Sequence, residues 1–333
     1  MSIQIVQALP STAATVLHGQ WRRVVWPVLS VTFAIAVDLI LPRAYEQKVV
    51  EHPYFTWFLL ISLGVYGGIF LAGSLRRKWR DFAYYRAPFY AGVVLFLNVF
   101  NLLTAKFAIL PPLYFPALDR ILAVLVDDFS YLMTCVVYSY RLLLMGWFFG
   151  ALAGLISGIL LGFSKRVSYW LAPFIRGIGP IPSTAWIPLV LVAFPSVVSG
   201  SIFLIALAVW FPTTILTSSG IANIKNSYFE AGATLGADRL YQIFHIGIPA
   251  AMPSVFLGLF NGTCSSFITL VTAEMLGAKY GLGWYINWQK EMMAYANVYA
   301  GLILIAVSFY FIITGLFQFR NRVLRWQKGV IKW

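Results

Sequence analysis

Apolar residues in this sequence come in unbroken runs, separated by short clusters of basic residues. A helix of about 20 apolar residues is long enough to cross a bilayer. Lipid offers the backbone no hydrogen-bond partners, so a spanning segment must be a helix or part of a closed barrel. Barrel strands alternate apolar and polar residues, and these runs do not alternate. The chain therefore reads as an all-α polytopic membrane protein. Composition agrees. Only 11% of the 333 residues are charged and 60% are hydrophobic, whereas a soluble domain carries about 25% charged residues.

Length picks out about eight spans. They run from about Val24 to Leu41, Tyr54 to Leu75, Pro88 to Leu110, Tyr138 to Phe163, Ser183 to Val198 (a short one), Ser201 to Ser219, Ala250 to Leu276, and Val298 to Phe319. The net charge of +13 does not point to nucleic acid, because the cations sit between apolar runs as the positive-inside rule requires. One side collects Arg22 and Arg23, the Arg76–Arg86 cluster, Lys165, Arg166, Arg176, Lys225, Arg239 and the basic tail from Arg320. The other side carries fewer cations, with acids such as Asp119, Asp127 and Asp128 nearby. Both termini are thus expected in the cytoplasm. Trp21, Trp26, Trp170, Trp284, Trp288 and Trp326 lie near span ends and fit interfacial belts. Arg22 and Arg23 precede the first run, but no small-residue cleavage site follows it, so a retained span is expected. Cys135 and Cys264 lie in apolar surroundings with no metal-ligand spacing, which reads as buried thiols.

The longest cytoplasmic loop, about 220–249, is the most informative. It contains SYFEAGATLGADRLYQIFHIGIP, Ser227 to Pro249. Ser227 and Glu230 have capping-box spacing. Gly236 suits the left-handed residue that ends a helix. Asp238 can cap a second short helix, in which Leu240, Ile243 and Phe244 make an apolar stripe. Small residues at Ala231, Gly232 and Ala233 would let a partner surface approach. On local chemistry alone this is either a docking hairpin or a plain connector.

The same segment resembles the "EAA" signature of ABC importer permeases, E-A-A-x-x-x-G followed by I-x-L-P. Glu230, Ala231, Gly236, Ile246 and Pro249 match it, with Gly232 in place of the second alanine and Ile248 in place of leucine. Glycine there loosens a helix by about 1 kcal/mol relative to alanine. Further segments resemble the nitrate/sulfonate/taurine/bicarbonate-type branch: Leu110-Pro111-Pro112, Pro180-Ile181-Pro182 through Ile187-Pro188-Leu189, and Ala273-Glu274-Met275-Leu276-Gly277-Ala278 with Gly281-Leu282-Gly283. The resemblance covers about residues 88–333. It departs from the branch around Phe194-Pro195, and the first two spans have no counterpart in a six-span core. It implies two parts: residues 1–86 as an added unit with two spans, and 87–333 as the permease domain.

The resemblance also implies partners. These are cytoplasmic ATPase subunits seated on the Glu230 loop, a second permease copy or homologue, and a periplasmic or lipid-anchored solute-binding protein. It implies a bacterial inner membrane location and a small, anionic solute. The sequence contains no G-x-x-x-x-G-K-[ST] loop and no H-E-x-x-H, so ATP is expected on a separate subunit and no cofactor on this one. Polar residues within spans often mark pathways. Asn261, Ser265 and Thr269 share a helical face that Thr272 extends; helix–helix hydrogen bonding is the competing reading. Glu274 reads as a cap or pair. Arg141 reads as a snorkelling residue or a partner of Asp127 or Asp128, with an anion contact as the other reading. Asn98, Asn101 and Lys106 are weaker candidates. A secondary transporter or a membrane scaffold without an ATPase is the alternative overall reading.

Overall fold

The computed structural model describes residues 23–44, 52–75 and 77–326. Trp21, Arg22, Arg76 and the tail beyond Trp326 lie outside these. Among the described residues the regular structure is helical, with no strand. Thirteen helices can be named in it: α1 Trp26–Ile40, α2 Tyr54–Leu75, α3 Arg77–Asn101, α4 Leu118–Asp127, α5 Phe129–Phe163, α6 Lys165–Ile178, α7 Ile187–Ala193, α8 Val197–Ala222, α9 Asn226–Thr234, α10 Arg239–Tyr241, α11 Ile248–Gly277, α12 Leu282–Glu291 and α13 Tyr295–Val323.

Among the described residues six helical stretches are long and apolar enough to cross a membrane, beginning at Tyr54, Asp81, Phe129, Val197, Arg239 and Tyr295. A seventh is available if the pair Lys165–Ile178 and Ser183–Ala193, bent by 85°, counts as one span. The apolar α1 is shorter, at 15 residues. Together these account for the eight runs. Several runs differ from their sequence reading: the third starts at Asp81 rather than Pro88 and the seventh at Arg239 rather than Ala250. The fourth starts at Phe129 rather than Tyr138, giving a helix of 35 residues. At 1.5 Å per residue it is about 52 Å long, so it extends past a bilayer core of about 30 Å. The fifth is a broken element, because Pro180 and Pro182 interrupt the backbone hydrogen bonding between α6 and α7.

The chain divides into two compact units. The first comprises residues 1–128 and 293–300, the second 129–292 and 301–333. In the first unit Val31 and Ala34 of α1, Phe55 and Leu59 of α2 and Val94 of α3 form a buried apolar cluster. Beside them lies a buried polar network. Lys106 Nζ is 2.9 Å from Asp38 Oδ1, with both side chains 2% exposed. The ammonium also donates to the carbonyls of Asp38 and Leu41. Thr56 and Asn101 donate to the Asp38 carboxylate at 2.6 and 3.2 Å. Lys106 is thus a structural partner of Asp38. Asp119 pairs with Arg43 at 2.9 Å and accepts from the Phe55 N–H. Asp127 accepts from the Tyr54 hydroxyl.

The second unit is built on α5, α8 and α11. Gly146, Gly150, Gly154, Gly158 and Gly162 recur every fourth residue on one face of α5. A Cβ on Gly154 would lie 2.7 Å from Thr213 Cβ, and one on Gly158 2.6 Å from Thr217 Cβ. A Cβ on Gly150 would collide with the Ala206 carbonyl. On the other side of α8, Gly258 and Gly262 of α11 approach the backbone at Thr213 and Val209. Small residues at such faces let membrane helices pack backbone to backbone, which makes up for the missing hydrophobic drive in lipid. Hydrogen bonds stitch the same helices together. The Trp147 indole donates to Thr263, and the Ser157 and Thr214 hydroxyls are 2.7 Å apart.

Candidate functional site

The loop between α8 and α11 is a helical hairpin. α9 starts at Asn226, with Lys225 as its first flanking residue and no side chain capping it. The capping box read from Ser227 and Glu230 does not form. The helix starts ahead of Ser227, so that residue falls inside the first turn and its hydroxyl is no longer at the cap; Glu230 is exposed. Gly236 ends the hairpin's first arm with φ +83° and nothing within 4 Å of a built Cβ. A residue with a Cβ is disfavoured in that region. The Asp238 carboxylate accepts from the Tyr241 N–H at 2.8 Å and caps α10. α10 is not a separate second helix. Through a wide turn at Gln242–Gly247 it joins α11 in one helical run, Arg239–Gly277, of 39 residues. Pro249 is the second residue of α11, directly after the wide turn, and having no N–H it cannot continue the hydrogen-bond ladder there.

Gly232 is the contact point between the arms. It is buried, and a Cβ there would lie 2.6 Å from Ile246 Cδ1. An alanine at this position, as in the signature, would need only the flexible end of Ile246 to shift. Phe163, the last residue of α5, packs edge-on against Phe229 and fills the space beside Gly247. The hairpin is thereby seated on the ends of α5 and α11. It leaves Tyr228, Ala231, Leu235, Leu240 and Phe244 exposed, Leu235 at 88%.

The polar residues of α11 part company. Ser265 and Thr269 line a cavity of about 330 Å³ together with the Pro180-Ile181-Pro182 stretch, Ser183 and Trp210. No charged residue lines it. The Ser183 and Thr269 hydroxyls are 2.6 Å apart. Asn261 is exposed and Thr272 half-buried, its hydroxyl bonded to the Ile268 carbonyl; neither lines this cavity.

Glu274 is a structural lock. It is fully buried, accepting from the Ser139 hydroxyl at 2.7 Å and from the Gly283 N–H at 2.8 Å. Ser139 in turn accepts from the Leu282 N–H. Gly281, with φ +128°, lies against the Glu274 carboxylate, which leaves no room for a Cβ. The AEMLGA and GLG segments are therefore the two halves of one turn. Ser139 has no sequence signal of its own, because its partner is 135 residues away.

Residues 150–326, more than half of the chain, match the family described as "Binding-protein-dependent transport system inner membrane component". The chain belongs to this family. It is 34% identical over 163 residues to the aliphatic sulfonates transport permease protein SsuC of Bacillus subtilis (strain 168), covering 49% of this chain and 59% of that one. It is 30% identical to the taurine transport system permease protein TauC of Escherichia coli (strain K12), covering 58% and 70% respectively. It is also 30% identical to the nitrate import permease protein NrtB of Leptolyngbya laminosa, covering 50% and 62%. The chain thus spans roughly three-fifths to seven-tenths of these relatives' lengths. Two inward-facing structures of the MetNI methionine ABC transporter share the fold, with TM-scores of 0.50 and 0.51 at 18% identity, over 60% of this chain and 98% of theirs. The protein is a multi-pass ABC transporter permease.

Proposed function

We propose that this permease is the translocation subunit of an ATP-driven importer for a small anionic solute of the sulfonate, taurine or nitrate kind, coupled through the 226–249 hairpin to a separate ATPase. The observation that carries this reading is the continuity of the Arg239–Gly277 run. Its first turns belong to the hairpin, and Ser265 and Thr269 lie about 39 and about 45 Å further along at 1.5 Å per residue. A push on the hairpin is delivered along one element to the cavity. Gly236, Gly232 and Ile246 fix the hairpin's shape; Glu230, Ala231 and the exposed apolar residues offer a docking face.

In this reading two permeases, alike or homologous, stand side by side, each with an ATPase below and a solute-binding protein delivering from outside. Residues 1–86 are an addition to a permease domain of 87–333. Ser265 and Thr269 belong to the pathway, with Asn261 and Thr272 at its margins. An anion there meets hydroxyls rather than cations, so it is held loosely and leaves readily.

The test is ATP-dependent uptake by the full chain co-reconstituted with its ATPase and binding protein. Glu230→Ala combined with Gly236→Ala should leave membrane insertion intact and abolish both ATPase assembly and uptake. Undiminished uptake by that variant would refute the coupling role.

A further inference from the structure

We infer that α6 and the cavities beside it form a binding site for an anionic phospholipid. α6 presents a face on which Tyr169, Trp170 and Phe174 are 74%, 79% and 55% exposed. Lys165 and Arg166 open that face and Arg176 closes it, all exposed. From Phe129 to Phe229 the sequence contains no Asp or Glu. Among the described residues none of these three cations makes an ion pair; the pairs present are Arg43–Asp119 and Lys106–Asp38.

Two cavities adjoin this face. One, of about 590 Å³, is lined by Arg166, Trp170, Leu171 and Phe174. The other, of about 430 Å³, is lined by apolar residues including Phe149, Ala153, Phe203 and Leu207. Phe174 and the helix that carries it are common to both. Phe174 thus stands between a groove with a cation and aromatic rings and an apolar recess. The Trp186 indole N–H borders the recess and is buried with no acceptor among the described residues. A phospholipid matches both parts: its phosphate the cations, its acyl chain the recess.

The same end of α5 that holds the hairpin leads directly into α6 through Ser164, which caps it. The groove therefore lies on the basic, hairpin side, where anionic headgroups attract Lys and Arg. A second copy seated here across a two-fold axis would bring Lys165 and Arg166 against their own kind, with no acid on this stretch to pair them.

The full chain in mild detergent, exchanged with equal amounts of phosphatidylglycerol and phosphatidylcholine of the same acyl composition, tests this by native mass spectrometry. Phosphatidylglycerol adducts should dominate. Lys165→Gln with Arg166→Gln should weaken that preference by about 30-fold, the equivalent of about 1 kcal/mol for each membrane-surface cation. Ala153→Trp, which fills the recess, should lose adducts of both lipids. Equal retention of the two lipids by the wild type overturns the proposal, and that comparison stands alone if a variant fails to fold. Adducts unchanged in both variants overturn it too. So does a disulfide between copies at Trp170→Cys in a chain without Cys135 and Cys264, since it places a second permease on this face.

Discussion

The first unit adds a buried ion pair to its apolar helix contacts, whereas the second relies on glycine contacts supplemented by neutral and carboxylate hydrogen bonds. Around Asp38 a carboxylate, an ammonium, a hydroxyl, an amide and two carbonyls converge from α1, α2 and the end of α3. Between α5 and α8 the contact is made by glycines spaced four apart, and the apposed residues are Ile205, Thr213, Thr217 and Ile221. Both are answers to one difficulty. Lipid tails are as apolar as leucine, so an apolar face gains little by leaving lipid for another helix. Specific pairing needs either polar groups that have nowhere else to go or backbones close enough for dense van der Waals contact.

The two answers differ in how they fail. A buried ion pair depends on both members, because removing one leaves an uncompensated charge. Lys106→Met should therefore be the most damaging change considered, costing about 3–5 kcal/mol. Thermal unfolding of the purified full chain in detergent reads it as a lowered midpoint. Asp38→Asn added to Lys106→Met should recover most of the loss, since an amide can be satisfied by Thr56 and Asn101 without a counter-charge. If Lys106→Met unfolds like the wild type, charge is not what holds the first unit.

A glycine contact fails by crowding. The Cβ of Gly150→Ala would meet the Ala206 carbonyl, which is backbone and cannot swing aside. The helices must separate, at a cost of about 1–3 kcal/mol. The same unfolding measurement applies, and the loss should fall below that of Lys106→Met. A Gly150→Ala chain as stable as the wild type would mean that α5 and α8 are not packed this closely, and the contrast between the units would dissolve.

What could be read from the sequence follows the range of each interaction. Tyr54–Leu75 was legible at both ends because hydrophobicity and length are local properties. Gly236 and Asp238 were legible because a corner and a cap are decided within a few residues. Ser227 and Glu230 misled for the same reason. Their spacing is right for a capping box, but the helix starts at Asn226 and the pattern is bypassed. The Lys106–Asp38 pair spans 68 residues and leaves no trace in local pattern. α6 and its bend were hidden because Pro173, Pro180 and Pro182 break the apolar run that a span would show. The glycine ladder of α5 was in plain view as a spacing of four; only its partner on α8 was not.

Spacing alone would not have separated the used glycines from the unused. Gly64, Gly67 and Gly68 also share one helix, α2, yet a Cβ on any of them meets nothing within 4 Å. Gly64→Ala should therefore have the smallest effect of the three changes and the opposite sign. Alanine is the better helix former by up to about 1 kcal/mol, so the unfolding midpoint should rise slightly. The measurement is sharpest when made twice, on the isolated chain and on the chain assembled with its transport partners. A midpoint raised in the first and lowered in the second would show that another protein closes on α2 in the assembly. That face would then use its glycines as α5 does, and the contrast would lie between contacts made within the chain and contacts kept for a partner.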